Sequence, residues 1–222
     1  QRNSLLSDMA RHPGMDDSLL AVWDRSFAKL SYSIINARAR FLARLAPFGE
    51  EIYRGISGGK ESFSVAYQCS IPGEWGAVPE EEGEEVILSA LERSRREDLK
   101  NGCTTVGPHR DDVDLRVNGI SARAFGSQGQ QRSCALTLKL AECRLIQEVA
   151  GEQPVILLDD VLSELDKTRK QYLLSGLASG QLFITCCDRS GFSAIGKDGV
   201  TWRIREGQLA ARQKIVSRKK KG

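Results

Sequence analysis

The segment Val155-Ile156-Leu157-Leu158-Asp159-Asp160 limits the fold of this chain more than any other. A short apolar run without alternation reads as a strand buried on both faces, the pattern of a parallel sheet. It ends in two carboxylates, which such a strand delivers to the carboxyl edge of its sheet. Open α/β sheets bind ligands at that edge. A pair of acids there suits a divalent cation and a polarised water, although a core strand can also simply end in an Asx turn. The expected fold class is α/β.

Upstream, Phe125-Gly126-Ser127-Gln128-Gly129-Gln130-Gln131-Arg132 leads into a helix whose apolar positions are Leu136, Leu138, Leu140, Ala141, Leu145, Ile146 and Val149. A small polar helix start leaves backbone N–H groups and the positive dipole end free to meet an anion. Ser127 also reads as an ordinary N-cap. Downstream of the acids comes Ser163-Glu164-Leu165-Asp166.

The rest of the chain is organised around this core. Leu20, Trp23, Phe27, Leu30, Ile34, Ala37 and Phe41 form a heptad stripe on one long helix, expected to run until Pro47. His12-Pro13-Gly14 separates it from a first helix. Phe63, Val65, Tyr67 and Cys69 alternate with polar or small residues, as in a half-buried strand that Pro72-Gly73 stops. Residues 80–100 carry five glutamates at the start and Arg93, Arg95, Arg96 and Lys100 at the end, matching a helix macrodipole. Residues 114–122 read as a hairpin with a type I′ turn at Asn118-Gly119. After Asp166 a helix to residue 178, a strand over 181–186 and a hairpin around Glu206-Gly207 complete the pattern.

Composition excludes several classes. No apolar run is long enough to span a bilayer. Six cysteines occur without a Cys-x-x-Cys pair and with only two histidines, which argues against a disulfide framework or zinc site and for a reducing, cytoplasmic compartment. Arg212, Lys214, Arg218, Lys219, Lys220 and Lys221 crowd the last twelve residues. Taking those six from the 32 basic residues leaves 26 against 29 acidic ones, so the body is slightly acidic. The tail suits a polyanion or a solvated end equally.

The order of the pieces carries a resemblance. The Ser127-Gln128-Gly129-Gln130 helix start, the strand ending in Asp159-Asp160 and the Ser163–Asp166 turn resemble the signature motif, Walker B strand and D-loop of ABC-type ATPase heads, the SMC proteins included. Within that group, three segments are similar to the RecF family of bacterial DNA replication and repair proteins. They are Gly107-Pro108-His109-Arg110-Asp111-Asp112, Gln1-Arg2-Asn3-Ser4-Leu5-Leu6, and Tyr53-Arg54 with Ile56-Ser57-Gly58-Gly59. The similarity covers nearly the whole chain and thins over residues 71–100 and the last dozen.

The family implies a helical arm and return segment over residues 1–105, and the C-terminal part of an ATPase head over 106–222. It implies Asp159 and Asp160 as catalytic, with Asp159 in the Mg²⁺ shell and Asp160 beside the attacking water. The family usually has Glu at the latter place, so hydrolysis is expected to be slow. Ser127, Gln128, Gly129 and Gln130 are expected to reach ATP held by an opposite protomer, and Ser163 and Asp166 to form the D-loop. Cys187 stands where many such ATPases carry a switch His. Expected partners are ATP with Mg²⁺, a second protomer, DNA with gaps or single-strand/double-strand junctions, and RecR, with RecO and RecA in the SOS-linked repair pathway. DNA-contacting residues remain unassigned.

The chain departs from the family in lacking a Walker A loop, Gly-x4-Gly-Lys-Ser/Thr. At Gly59-Lys60, Glu61 stands where the hydroxyl belongs and Arg54 where the first glycine belongs. An acid there repels phosphate, so this segment reads as a Gly-rich turn. The chain is expected to be the C-terminal part of a longer protein and inactive alone. The alternative is a non-catalytic module that offers its signature surface to a separate Walker A-bearing chain. A nuclease head of the overcoming-lysogenization-defect type would need a further acid cluster that the spacing does not provide. His109 and Arg110 fit either a structural ion-pair network or a nucleotide or DNA contact.

Overall fold

A computed structural model describes residues 1–12, 14–16, 18–161, 165–176, 180–187 and 199–215. Ser163, Glu164 and the basic tail from residue 216 lie outside them. The chain is mixed helix and sheet and divides into two compact units, residues 1–50 with 63–126 and residues 51–62 with 127–222. The expected boundary near residue 105 lies inside the first unit.

In the first unit, α1 (Arg2–Arg11) precedes α2 (Ser18–Ile56), whose last turns belong to the second unit. The helix continues through Pro47, where the sequence predicted a stop. A proline removes one helical hydrogen bond and crowds the preceding turn, and residues on both sides here keep the helix by burying Leu45, Ile52, Tyr53 and Ile56. The buried stripe also differs from the predicted one. Leu20 is buried as expected, but Leu30 is 67% exposed and Ile34 and Phe41 face solvent, while Ala28, Tyr32 and Ile35 point inward. Two adjacent stripes of the helix are apolar, and burial of the stripe with the smaller Ala28 allows closer packing.

β1 (Phe63–Gln68) pairs antiparallel with β2 (Asp112–Val117), which turns through Asn118-Gly119 into β3 (Ile120–Ser121). Both turn residues have positive φ, 52° and 78°, as a type I′ turn requires. α3 (Glu80–Asn101) has Glu80, Glu81 and Glu82 in its first turn, Lys100 in its last, and a left-handed glycine, Gly102, at its C-cap. Tyr32, Ile35, Ile71, Ile87 and Leu91 form the core of this unit. Beneath it, Arg2 is buried with both Asp24 (2.7 Å) and Asp98 (2.9 Å), and Asp98 also accepts from Thr105. α4 (Ala122–Phe125) closes the unit.

In the second unit, α5 (Gln128–Ala150) leads to β4 (Ile156–Asp159), followed by α6 (Lys167–Gly176) and β5 (Leu182–Thr185). β4 and β5 are parallel, with Asp159 opposite Thr185. β6 (Gly199–Arg205) and β7 (Gln208–Ile215) form the final hairpin through Glu206-Gly207. One expectation is corrected here. β4 is not buried on both faces: Leu158 is buried, but Leu157 is 72% exposed, and its neighbour Phe183 also faces solvent. Among the described residues this sheet has two strands, and only the face bearing Leu158 is covered.

Candidate nucleotide-binding surface

Ser127 starts α5 with a full capping box. Its Oγ accepts the Gln130 amide at 3.2 Å, and the Gln130 side-chain oxygen accepts the Ser127 amide at 2.9 Å. The ordinary N-cap reading of Ser127 is therefore realised, and the same turn presents Gln128 and Gly129 at the positive end of a 23-residue helix. The other end of the Gln130 amide donates to Glu61 Oε1 at 2.7 Å, and Glu61 Oε2 accepts the Tyr53 hydroxyl at 3.1 Å.

The segment that mimics a phosphate loop thus has a different role. Gly58 and Gly59 have φ of 64° and 76° and turn the chain beyond α2, as the sequence predicted. Glu61 then faces the start of α5. Burial, with the nearby Cys134 and Glu61 adding to it, pushes the Tyr53 hydroxyl well above its usual pKa, so Tyr53 remains a neutral donor.

At the carboxyl end of β4, Asp159 and Asp160 are both exposed and differ in backbone conformation. Asp160 takes the left-handed conformation with φ of 51°, which Asp tolerates better than most side chains and which turns the chain sharply at the strand end. Thr185, at the matching end of β5, serves both residues. Its Oγ1 accepts the Asp160 amide at 3.0 Å and donates to Asp159 Oδ1. This residue went unassigned in the sequence. Its signal was its place at the end of the second strand of a parallel pair, directly opposite the acid it orients.

Asp166 caps α6 by accepting the Arg169 amide at 2.9 Å. The Arg169 guanidinium lies 3.4 Å from the Asp166 carboxylate and donates to the Gly129 carbonyl at 3.4 Å. Asp166 and the Ser127–Gln130 turn are therefore joined by Arg169. Cys186 and Cys187 follow β5, both exposed and neither in a disulfide.

His109 and Arg110 lie in the first unit, tied to its backbone. Both engage the Thr104 carbonyl, His109 at 3.0 Å, and Asp111 binds the Ser70 amide at 2.7 Å as well as the Tyr67 hydroxyl. Asp112 pairs with Arg123 at the surface.

Asp159 suits Mg²⁺ as one hard oxygen ligand. It is exposed, and Thr185 occupies one of its oxygens. Among the described residues no cluster of three or more His, Cys, Asp or Glu could hold a metal.

No family model matches the chain. Curated relatives do. The DNA replication and repair protein RecF of Heliobacterium modesticaldum is 43% identical over 216 residues, covering 95% of this chain and 56% of its own length. RecF of Clostridium acetobutylicum is 38% identical over 214 residues, with the same coverage. Among solved structures, the recombination mediator protein RecF with ATPrS superimposes with a TM-score of 0.78 at 36% identity, covering 94% of this chain and 54% of that one. A RecF–ATP structure gives 0.76 at 33% identity, covering 97% and 55%. This chain spans about half the length of the relatives it matches. Over nearly all its residues it matches the C-terminal part of RecF, the family of bacterial DNA replication and repair proteins.

Proposed function

We propose that this chain supplies one half of a composite ATP site in a RecF-type ATPase head. It contributes the signature turn Ser127–Gln130, the acids Asp159 and Asp160 and the D-loop acid Asp166. Asp159, oriented by Thr185, serves as the protein ligand of Mg²⁺, which neutralises phosphate charge when bound with ATP. Asp160 orients the attacking water. Its shorter side chain and left-handed backbone suit slow turnover. Ser127 and Gly129 face the γ-phosphate of ATP bound by an opposite protomer, so nucleotide joins two subunits as well as being hydrolysed.

The observation that carries this reading is the coupled pair of motif arrangements: the Asp159 carboxylate and the Asp160 backbone amide both bound to Thr185 at a parallel strand end, and a capped helix start tied to Asp166. DNA with gaps or single-strand/double-strand junctions, RecR, RecO and RecA loading are proposed partners and roles. They rest on relatives named for DNA replication and repair and on a neighbour described within the RecFOR pathway. The phosphate cradle is expected in the N-terminal portion that the relatives carry. The uncovered face with Leu157 and Phe183 is suited to packing against it.

Calorimetry with ATP and Mg²⁺ tests this. The chain alone is expected not to bind, and binding is expected to appear when the N-terminal part of RecF is added in trans. Tight binding by the chain alone would overturn the half-site reading.

A further inference from the structure

We propose that Glu61 and Arg169, which belong to no nucleotide motif, are positioning residues that preset the signature turn. The inference rests on reading Ser127–Gln130 as the ATP-facing turn. A helix start has several amides without intrahelical partners. An anion gains most from them when they are held in place beforehand.

Glu61 provides the hold on one side. A carboxylate only accepts hydrogen bonds, so its 2.7 Å contact with Gln130 must come from the amide nitrogen. That orientation directs the Gln130 oxygen to the Ser127 amide, where it accepts at 2.9 Å. Glu61 is itself held by Tyr53, whose hydroxyl stays protonated. The series Tyr53, Glu61, Gln130, Ser127 thus fixes one side of the turn through donors and acceptors of definite sense.

Arg169 provides the hold on the other side. Its guanidinium spans the Gly129 carbonyl and the Asp166 carboxylate. A Cβ at position 129 would lie 3.2 Å from Arg169 Nη1, so glycine there lets the guanidinium approach the carbonyl. The planar fork reaches two acceptors in different directions, which a lysine ammonium does poorly. Signature and D-loop are thereby presented together.

The test uses E61A, E61Q, R169A and R169K in this chain joined to the N-terminal part of RecF, with two readouts. The first is hydrogen exchange at the Ser127 amide, whose acceptor is the Gln130 side chain. E61A is expected to speed it by roughly 10–100-fold, the loss of a charge-assisted hydrogen bond. E61Q, which keeps an acceptor, is expected to stay near wild type. The second is association driven by a slowly hydrolysed ATP analogue, followed by ultracentrifugation beside single-site ATP affinity. E61A, R169A and R169K are expected to weaken association at least roughly tenfold with ATP affinity unchanged, the separation expected of groups that act only on the turn facing the partner's nucleotide.

Failure of the wild-type protein to associate would overturn the composite-site reading and this inference with it. If wild type associates and E61A and R169A associate as tightly, the inference alone falls. Faster exchange with unchanged association would also overturn it, because the bonds would then be scaffold only.

Discussion

Both units of this chain leave large apolar side chains in solvent, Leu30 and Phe125 in one and Leu157 and Phe183 in the other, but they tie their polar groups in different places. Residues 1–50 and 63–126 enclose Tyr32, Ile35, Ile71, Ile87 and Leu91 in one core and bury an arginine with two aspartates beneath it. Residues 51–62 and 127–222 bury Leu136, Leu140, Leu145 and Leu173, yet leave Leu157, Phe183, Trp202 and Ile204 in solvent. The first unit ties its polar groups inside the fold, Arg2 reaching Asp98 across 96 residues. In the second, helix starts and strand ends are well tied by polar contacts while a sheet face stays open. Precise placement of polar side chains therefore does not require a closed core. Short-range bonds to Thr185, Glu61 and Arg169 supply it.

The largest test of this contrast is D98A. Asp98 is fully buried against Arg2, and its removal leaves a buried guanidinium short of a partner. A loss of about 3–5 kcal/mol is expected, read by hydrogen exchange in α1 and α3. A loss under about 1 kcal/mol would mean that the buried pair contributes little to the first unit.

Next comes a matched pair of truncations. L91A, at a site 1% exposed, is expected to cost about 2–5 kcal/mol in urea denaturation. L157A, at an exposed site, is expected to cost no more than about 0.5 kcal/mol and to reduce self-association. Equal costs would show that the β4 face is covered in solution and would end the contrast.

S127A removes the cap of α5. About 1 kcal/mol of stability is expected to go, with faster exchange at the Gln130 amide. Unchanged exchange would remove the support for polar ties as the placing force.

The smallest effect is an alkaline one. Burial and the charge of Glu61 push the Cys134 thiol up to about 11 from an ordinary 9.0. The folded chain keeps this proton more tightly than the unfolded chain. The corresponding stabilisation is therefore complete below about pH 9 and is lost as pH rises towards 11. Denaturation midpoints against pH check this, and C134A is expected to flatten the slope. At pH 8, alkylation is expected to reach the exposed Cys186 and Cys187 well before Cys134.

Most elements were legible because their signals are local. The Asn118-Gly119 turn, the acidic start of α3, the capped start of α5 and the apolar run before Asp159 each depend on a few neighbouring residues. The misreadings involved distant ones. Which stripe of α2 is buried depends on what packs against it, and the helix passes Pro47 because burial on both sides outweighs one lost hydrogen bond. The Gly59-Lys60-Glu61 segment was legible as a Gly-rich turn, but its role in holding Gln130 was not visible, since 69 residues separate the two partners.

By itself the sequence determined the chemical inventory and its order: two acids after an apolar strand, a polar capped helix start before it and a capping acid after it. These follow from hydrogen-bonding capacity and periodicity, which a residue carries wherever it sits. Only the tertiary structure decided which side chains orient that inventory. Thr185 reaches Asp159 because two strands lie parallel and in register, and Glu61 and Arg169 reach the α5 start because three separate segments converge there. Hydrogen bonds act over about 3 Å, so chain folding alone decides which distant groups come within that range.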